Sequence, residues 1–137
     1  FEFYEKYTVH ESSLSASIHS VVASHINQID KSYKYFLRSS RLDLDDYNKE
    51  IEQGLHITSM AGSWIALVEG VGGFKGSKDK ITINPKKPKE WKSYQFNIFY
   101  NNQIINFKVE EDSILISAEN TKELNIENLS SKIISYE

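Results

Sequence analysis

The chain changes its hydrophobic period once, at "GVGGF", residues 70 to 74, where three glycines fall within four positions. A helix repeats every 3.6 residues and a strand every two, so no single element carries both patterns. Before the glycines the spacing is helical. Leu14, Ile18, Val21, Val22 and Ile26 place apolar side chains on one face of a first helix, with Ser12 or Ser13 as its cap. Ile29, Tyr33, Phe36 and Leu37 repeat the pattern in a second helix, which ends near "RLDLDDYN". Ile57, Met60, Ala61, Trp64, Ile65 and Val68 define a third. Ala66 and Leu67 on its other faces predict burial on most sides, with Trp64 in the core.

After the glycines the period drops to two. "KITIN" alternates at Ile81 and Ile83, and "YQFNIFY" at Tyr94, Phe96, Ile98 and Tyr100, which predicts one sandwich face. A turn at Asn101-Asn102 leads into Ile105, Phe107 and Val109, and "EED" leads into Ile114 and Ile116. Two hairpins in a meander fit this pattern. The tail "LNIENLSSKIISYE" is ambiguous between helix and strand. The expected class is therefore α+β: a helical segment over 1–71, then an antiparallel β segment over 72–137, divided near Gly72 and Gly73.

Composition narrows the function. A net charge of −3 gives no reason to expect nucleic acid or an anionic membrane as partner. The absence of cysteine excludes disulfide and thiolate chemistry and fits a reducing, cytoplasmic compartment. No signal peptide or membrane-length apolar run is visible. "LDLDDYN" holds three carboxylates but lacks the spacing and glycine of a calcium loop, so no metal is expected. It is read instead as a hydrogen-bonded loop. The opening "FEFYEKYTVH" has no initiator Met and no polar lead-in, so a fragment of a longer protein is expected.

Two stretches concentrate polar side chains where helices begin. "TVHESSLSASIHS" brings His10, Glu11, Ser12 and Ser13 to the first helix, and "GLHITSMAGSWIALVEG" brings His56, Thr58 and Ser59 to the third. The first N–H groups of a helix have no intrahelical partner and sit at the positive end of the macrodipole. Such ends bind anions, and hydroxyls or a histidine add donors. With one helix running out and the next returning, both starts fall on the same side of the bundle and can converge on one anion. Either stretch alone reads equally as ordinary capping, and the pattern by itself names no reaction.

"YTVHESSLSASIHS", "YFLRSSRLDLDDYN" and "GLHITSMAGSWIALVEGVGGF" resemble the C-terminal part of the disaccharide phosphorylases of glycoside hydrolase family 65, most closely its maltose-cleaving members. The resemblance is strong through residue 74 and looser across the β segment. It implies the last helices of an α/α toroid of six helix pairs over 1–71, followed by a small C-terminal antiparallel β-sandwich domain over 72–137. It also implies a glycosyltransferase-type reaction on a glycoside hydrolase framework. Maltose and inorganic phosphate would give β-glucose 1-phosphate and glucose with inversion; trehalose or kojibiose is the alternative substrate. A non-catalytic remnant or interaction module is the alternative outside catalysis.

An inverting hydrolase needs one carboxylic acid for the leaving oxygen and one carboxylate to activate water. Phosphate is already an anionic nucleophile, so the family replaces the second carboxylate with a phosphate pocket. The resemblance assigns Ser12, Ser13 and His56 to that pocket, with His10, Glu11, Thr58 and Ser59 as neighbours. It assigns no catalytic residue to this chain: the general acid belongs to an upstream "GPDE"-type motif, and a lysine of a "KQAD"-type motif is also absent. Ala16 stands where the family usually has proline. Phosphate is the only co-substrate implied, with no cofactor. The partners implied are the disaccharide, the rest of the barrel and a second subunit in a homodimer. These 137 residues alone are expected to be inactive.

Overall fold

Helices fill one unit of the chain, Phe1–Val71, and strands most of the other, Gly72–Glu137. The structure is a computed structural model that describes residues 1–10, 12–47 and 49–137. Among these, no helix is long and apolar enough to cross a membrane.

The helical unit contains a single turn, α1 (Glu2–Glu5), then α2 (Ser15–His25), α3 (Ile29–Ser40) and α4 (Ile57–Ile65), which runs on into a π-helical turn over Ala66–Val71. The predicted helices form, but they turn different faces inward. Helix α2 buries Ala16, Ser17, Ser20, Val21, Ala23 and Ser24, whereas Leu14, Ile18 and Ile26 are exposed. In α4, Ser59 and Gly62 are buried, while Ile57, Met60 and Trp64 are exposed. Trp64 is therefore not core, and the third predicted helix is buried on most sides only over its last turn, where Ala66 and Val68 are buried. The small faces win because they let helix backbones approach closely while their hydroxyls find carbonyls.

Those hydroxyls form reciprocal bonds. Ser20 Oγ donates to the Ser32 carbonyl and Ser32 Oγ to the Ser20 carbonyl, both at 2.8 Å, tying α2 to α3. Ser59 Oγ donates to the Ser39 carbonyl at 2.9 Å and Ser39 Oγ to the Ser59 carbonyl at 3.2 Å, tying α3 to α4. Ser24 Oγ reaches the Gly70 carbonyl at 2.7 Å, tying α2 to the π turn. Each buried hydroxyl is thereby satisfied, avoiding a cost of about 1–3 kcal/mol for an orphaned polar group.

In the β unit, β1 (Lys75–Gly76), β2 (Ile81–Ile83) and β6 (Ile126–Asn128) form a three-stranded sheet. Strands β3 (Tyr94–Tyr100), β4 (Gln103–Val109), β5 (Ser113–Ser117) and β7 (Ile133–Tyr136) form a second sheet in that order. The meander β3-β4-β5 is antiparallel as predicted, and Asn101 and Asn102 make the first turn with φ of 47° and 60°. The ambiguous tail forms β6 and β7. Both pair in parallel, β6 with β2 and β7 with β5, so neither sheet is purely antiparallel. The physical reason is the route: each tail strand reaches its partner by a crossover and not by a hairpin.

Ile81, Ile83, Phe96, Ile105, Phe107, Val109, Ile114 and Ile116 are buried in this unit. Phe96 stacks on Phe107 with centroids 5.3 Å apart, and Phe74 meets Phe107 edge-on at 5.9 Å. Along β3, the residues between Tyr94, Phe96, Ile98 and Tyr100 are exposed, as the alternation predicts. Gly73, at φ +59°, has no room for a side chain, because an added Cβ would lie 3.0 Å from Asn84 Cα and closer still to the Asn84 carbonyl.

The closest helix approach sets a testable limit. A Cβ at Gly62 would meet Ser17 Oγ and stand 2.8 Å from Ser17 Cβ, an atom that rotamer change cannot move. Gly62→Ala gains up to about 1 kcal/mol of helix propensity but overpacks the contact by about 1–3 kcal/mol. A net fall in the melting temperature of the helical unit is expected by circular dichroism.

Candidate functional site

The starts of α2 and α4 come together. Ser13 Oγ lies 3.2 Å from Thr58 Oγ1, joining residues 45 apart in sequence. Among the described residues neither helix has a side-chain cap: Leu14 and His56 occupy the N-cap positions without such a bond. The expectation that Ser12 or Ser13 caps the first helix is thus corrected. Ser12 Oγ accepts the Leu14 N–H at 3.3 Å in the turn before the helix, and Ser13 spends its hydroxyl on Thr58. The helix begins two residues after Ser13 because the preceding turn already uses these serines.

His10, Ser12, Ser13 and Ser59 line one small cavity of about 10 Å³, together with Arg38, Ser39 and other neighbours. A much larger concavity, about 840 Å³, is lined by residues of α3 such as Lys31, Tyr35 and Arg38, and takes in His10 alone among the described residues of the predicted set. Size here does not follow the predicted chemistry, and the convergence of the helix starts is the better guide. Ser59 points inward to α3 as a structural hydroxyl. Glu11 lies outside the described residues.

His10 is fixed by a directional chain of hydrogen bonds. Lys31 Nζ donates to Glu5 Oε2 at 2.6 Å, and Tyr35 Oη donates to Glu5 Oε1 at 3.0 Å. The Tyr35 oxygen then accepts from His10 Nε2–H at 3.1 Å, which leaves Nδ1 to accept the Ser15 hydroxyl at 2.7 Å. Burial, followed by the charges of His19 and Arg38, lowers the His10 pKa and favours this neutral form. Burial and the bond to Glu5 raise the Tyr35 phenol to about 12. Arg38 Nη2 donates to the His10 carbonyl at 2.6 Å, and its guanidinium lies over the Tyr47 ring, 4.6 Å from the centroid. His10 therefore shapes the turn that carries Ser12 and Ser13.

His56 is held differently. Its backbone N–H donates to Asp43 Oδ2 at 3.0 Å and its Nδ1 meets Asp43 Oδ1 at 2.5 Å. Nε2 stands 3.6 Å from Glu50 Oε2. The hydrogen bond that His56 donates to Asp43 raises the His56 pKa, and the same bond lowers that of Asp43. The loop supporting the pair is itself ordered by side chains. Asp46 Oδ1 accepts the N–H groups of Glu50 and Ile51 at 3.0 and 3.2 Å, and Arg41 grips Asp45 through two bonds. Gly54, at φ +111°, then turns the chain into α4.

Asp43, Glu50, Tyr35 and Arg38 were not singled out by sequence pattern. "LDLDDYN" marked the acidic loop, but nothing in its spacing distinguished Asp43 from its neighbours as the residue facing His56.

Residues 1–65 match the glycosyl hydrolase family 65 central catalytic domain, and residues 74–128 match the C-terminal domain of the same family. "Maltose phosphorylase" of Bacillus subtilis (strain 168) is 48% identical over 115 residues, covering 84% of this chain and 15% of that protein. "Alpha,alpha-trehalose phosphorylase" of Thermoanaerobacter brockii is 41% identical over 117 residues, covering 85% of this chain and 15% of that protein. The solved structure of "Putative kojibiose phosphorylase from human microbiome" matches with a TM-score of 0.86 and 39% identity, covering 96% of this chain and 17% of that one. The chain thus spans about 15% of the length of the curated relatives it matches.

The Asp43–His56 pair makes the stability of the helical unit depend on pH. A lowered Asp43 pKa contributes stability that is complete above the ordinary value of 3.8 and lost as pH falls through the folded-state value below it. A raised His56 pKa contributes stability that is complete below 6.5 and lost as pH rises through the folded-state value above it. Thermal melts at a series of pH values are expected to show the full contribution between 3.8 and 6.5, with a decline on either side that Asp43→Asn diminishes.

Proposed function

The chain belongs to glycosyl hydrolase family 65, and on that premise we propose that it supplies the phosphate-holding end of an inverting disaccharide phosphorylase. Phe1–Val71 would be the end of the catalytic α/α barrel and Gly72–Glu137 the C-terminal β domain. The observation that carries this reading is the 3.2 Å contact between Ser13 and Thr58, which brings two uncapped helix starts together.

In this reading Ser12, Ser13 and His56 bind phosphate oxygens, with Thr58 beside them. Hydroxyls and backbone N–H groups suit the task because they hold an anion without competing as nucleophiles. An imidazolium at His56 adds a charge-assisted bond. A phosphate oxygen then bonds to the anomeric carbon as the glycosidic bond breaks, and a general acid outside this chain protonates the leaving oxygen. His10 orients the serine turn, and Ser59 ties α4 to α3. No cofactor beyond the phosphate co-substrate is needed.

Maltose is the favoured substrate, supported by the 48% identity to a protein named maltose phosphorylase against 41% for the trehalose relative. The absence of cysteine supports a reducing, cytoplasmic setting. The exposed side chains of Leu14, Ile18, Ile57, Met60 and Trp64 favour a packing face for the rest of a barrel. The same faces would serve an interaction module if no barrel completes them.

The test is a chimera in which this chain replaces the matching stretch of the Bacillus subtilis relative, assayed for phosphate-dependent glucose release. Activity on maltose is expected from the chimera and none from the 137-residue chain alone. His56→Ala should lower kcat/KM by about 10²-fold, as loss of one well-placed donor does. A folded chimera that is inactive on maltose, trehalose and kojibiose would favour the interaction module.

A further inference from the structure

We propose that Asp43 is the positioning residue of the phosphate site, its carboxylate holding the His56 ring so that Nε2–H is the group offered to the anion. The proposal rests on the phosphate reading of His56. Asp43 commits both carboxylate oxygens to one residue, Oδ2 to the His56 backbone N–H at 3.0 Å and Oδ1 to Nδ1 at 2.5 Å. Main chain and ring are therefore fixed together at the start of α4.

A carboxylate cannot donate, so Nδ1 carries the proton of the shared bond and Nε2 is the nitrogen left for a ligand. The pair is well sheltered, with side chains 22% and 12% exposed for His56 and Asp43. At 3.6 Å, Glu50 Oε2 is beyond hydrogen-bond distance from Nε2, and its side chain is 41% exposed. It can swing aside when phosphate arrives. His56 also stands two residues before Thr58, whose hydroxyl touches Ser13, so His56 and the serine turn both lie at the start of α4.

The charged groups facing the ring are Asp43 and Glu50, and both favour the imidazolium. Asp43 thus provides orientation and charge together. An asparagine in its place could still accept the backbone N–H, but it could not hold the charged ring in the same way.

The experiment follows the imidazole resonances of the isotope-labelled 137-residue chain during titration with inorganic phosphate. A parallel titration uses sulfate, whose charge is constant through the working pH range. In the unsubstituted chain, phosphate should shift the His56 signals, and sulfate affinity should fall as His56 deprotonates. Asp43→Asn should lower the His56 pKa and weaken phosphate binding by roughly tenfold, as a charge-assisted bond gives way to a neutral one. Asp45→Asn, which breaks only the Arg41 pair in the same loop, should leave both unchanged.

Equal phosphate affinity in Asp43→Asn would overturn the positioning role and leave the phosphate site standing. Absence of phosphate binding both by the unsubstituted chain and by the chimera, which restores the lysine this chain lacks, would overturn the site reading and this proposal with it, even if Asp43→Asn lowered the His56 pKa. Should Asp43→Asn fail to fold, the unsubstituted chain decides. A His56 ring protonated at Nε2 alone in its neutral form supports nothing in the proposed pairing and overturns it, whereas retention of the Nδ1 proton with sulfate affinity tracking His56 supports it.

Discussion

The exchange of serine hydroxyls for carbonyls between helices determines what else this chain can do. Ser20 with Ser32, and Ser39 with Ser59, each donate to the other's main chain, so α3 is stitched to a helix on either side. Each bond contributes about 1 kcal/mol net, less than a buried leucine. Their larger effect is geometric: they hold backbones at a separation that branched side chains would not allow. The contact of Ser13 with Thr58 joins α2 and α4 at their starts, within the same stitched set of helices.

The same economy of space explains the electrostatics around the helix starts. Three charged pairs sit at the edges: Lys31 on Glu5, Arg41 on Asp45 and Asp43 on His56. Two histidines of the polar stretches, His10 and His56, are held in contrasting states. His10, sheltered and near Arg38 and His19, is disposed to neutrality; His56, bound to Asp43, is disposed to charge. A residue type that titrates near neutrality is thus divided by environment into one group disposed to neutrality and one disposed to charge.

Much of the secondary structure was legible because periodicity reports local geometry. The helical stretches, the Asn101-Asn102 turn and the three-strand meander follow from spacing and turn chemistry. The buried faces did not follow. Leu14, Ile18 and Trp64 form apolar stripes that usually mark a core, yet the chain turns its serines and glycines inward, a choice decided by interhelical distance. The parallel partners of β6 and β7 were equally hidden, since three- and four-residue strands carry no record of which distant strand they join. At the candidate site, the polar stretches could be read directly. Asp43 could not, because its role depends on a loop that returns to His56 over 13 residues.

The parallel strands also impose an order on synthesis. Every contact of Phe1–Val71 with itself is available once residue 71 has left the ribosome. The β unit has no such early completion. Strand β2 waits for Ile126–Asn128 and β5 for Ile133–Tyr136, so each keeps one unpaired side until those residues have emerged. A chain emerging from its N-terminus therefore assembles its helices while Ile81, Ile114 and Ile116 still lack their last neighbours. The interval in which β2 and β5 present an unpaired side is set by the length of chain separating them from β6 and β7, independently of how stable the finished sheets become.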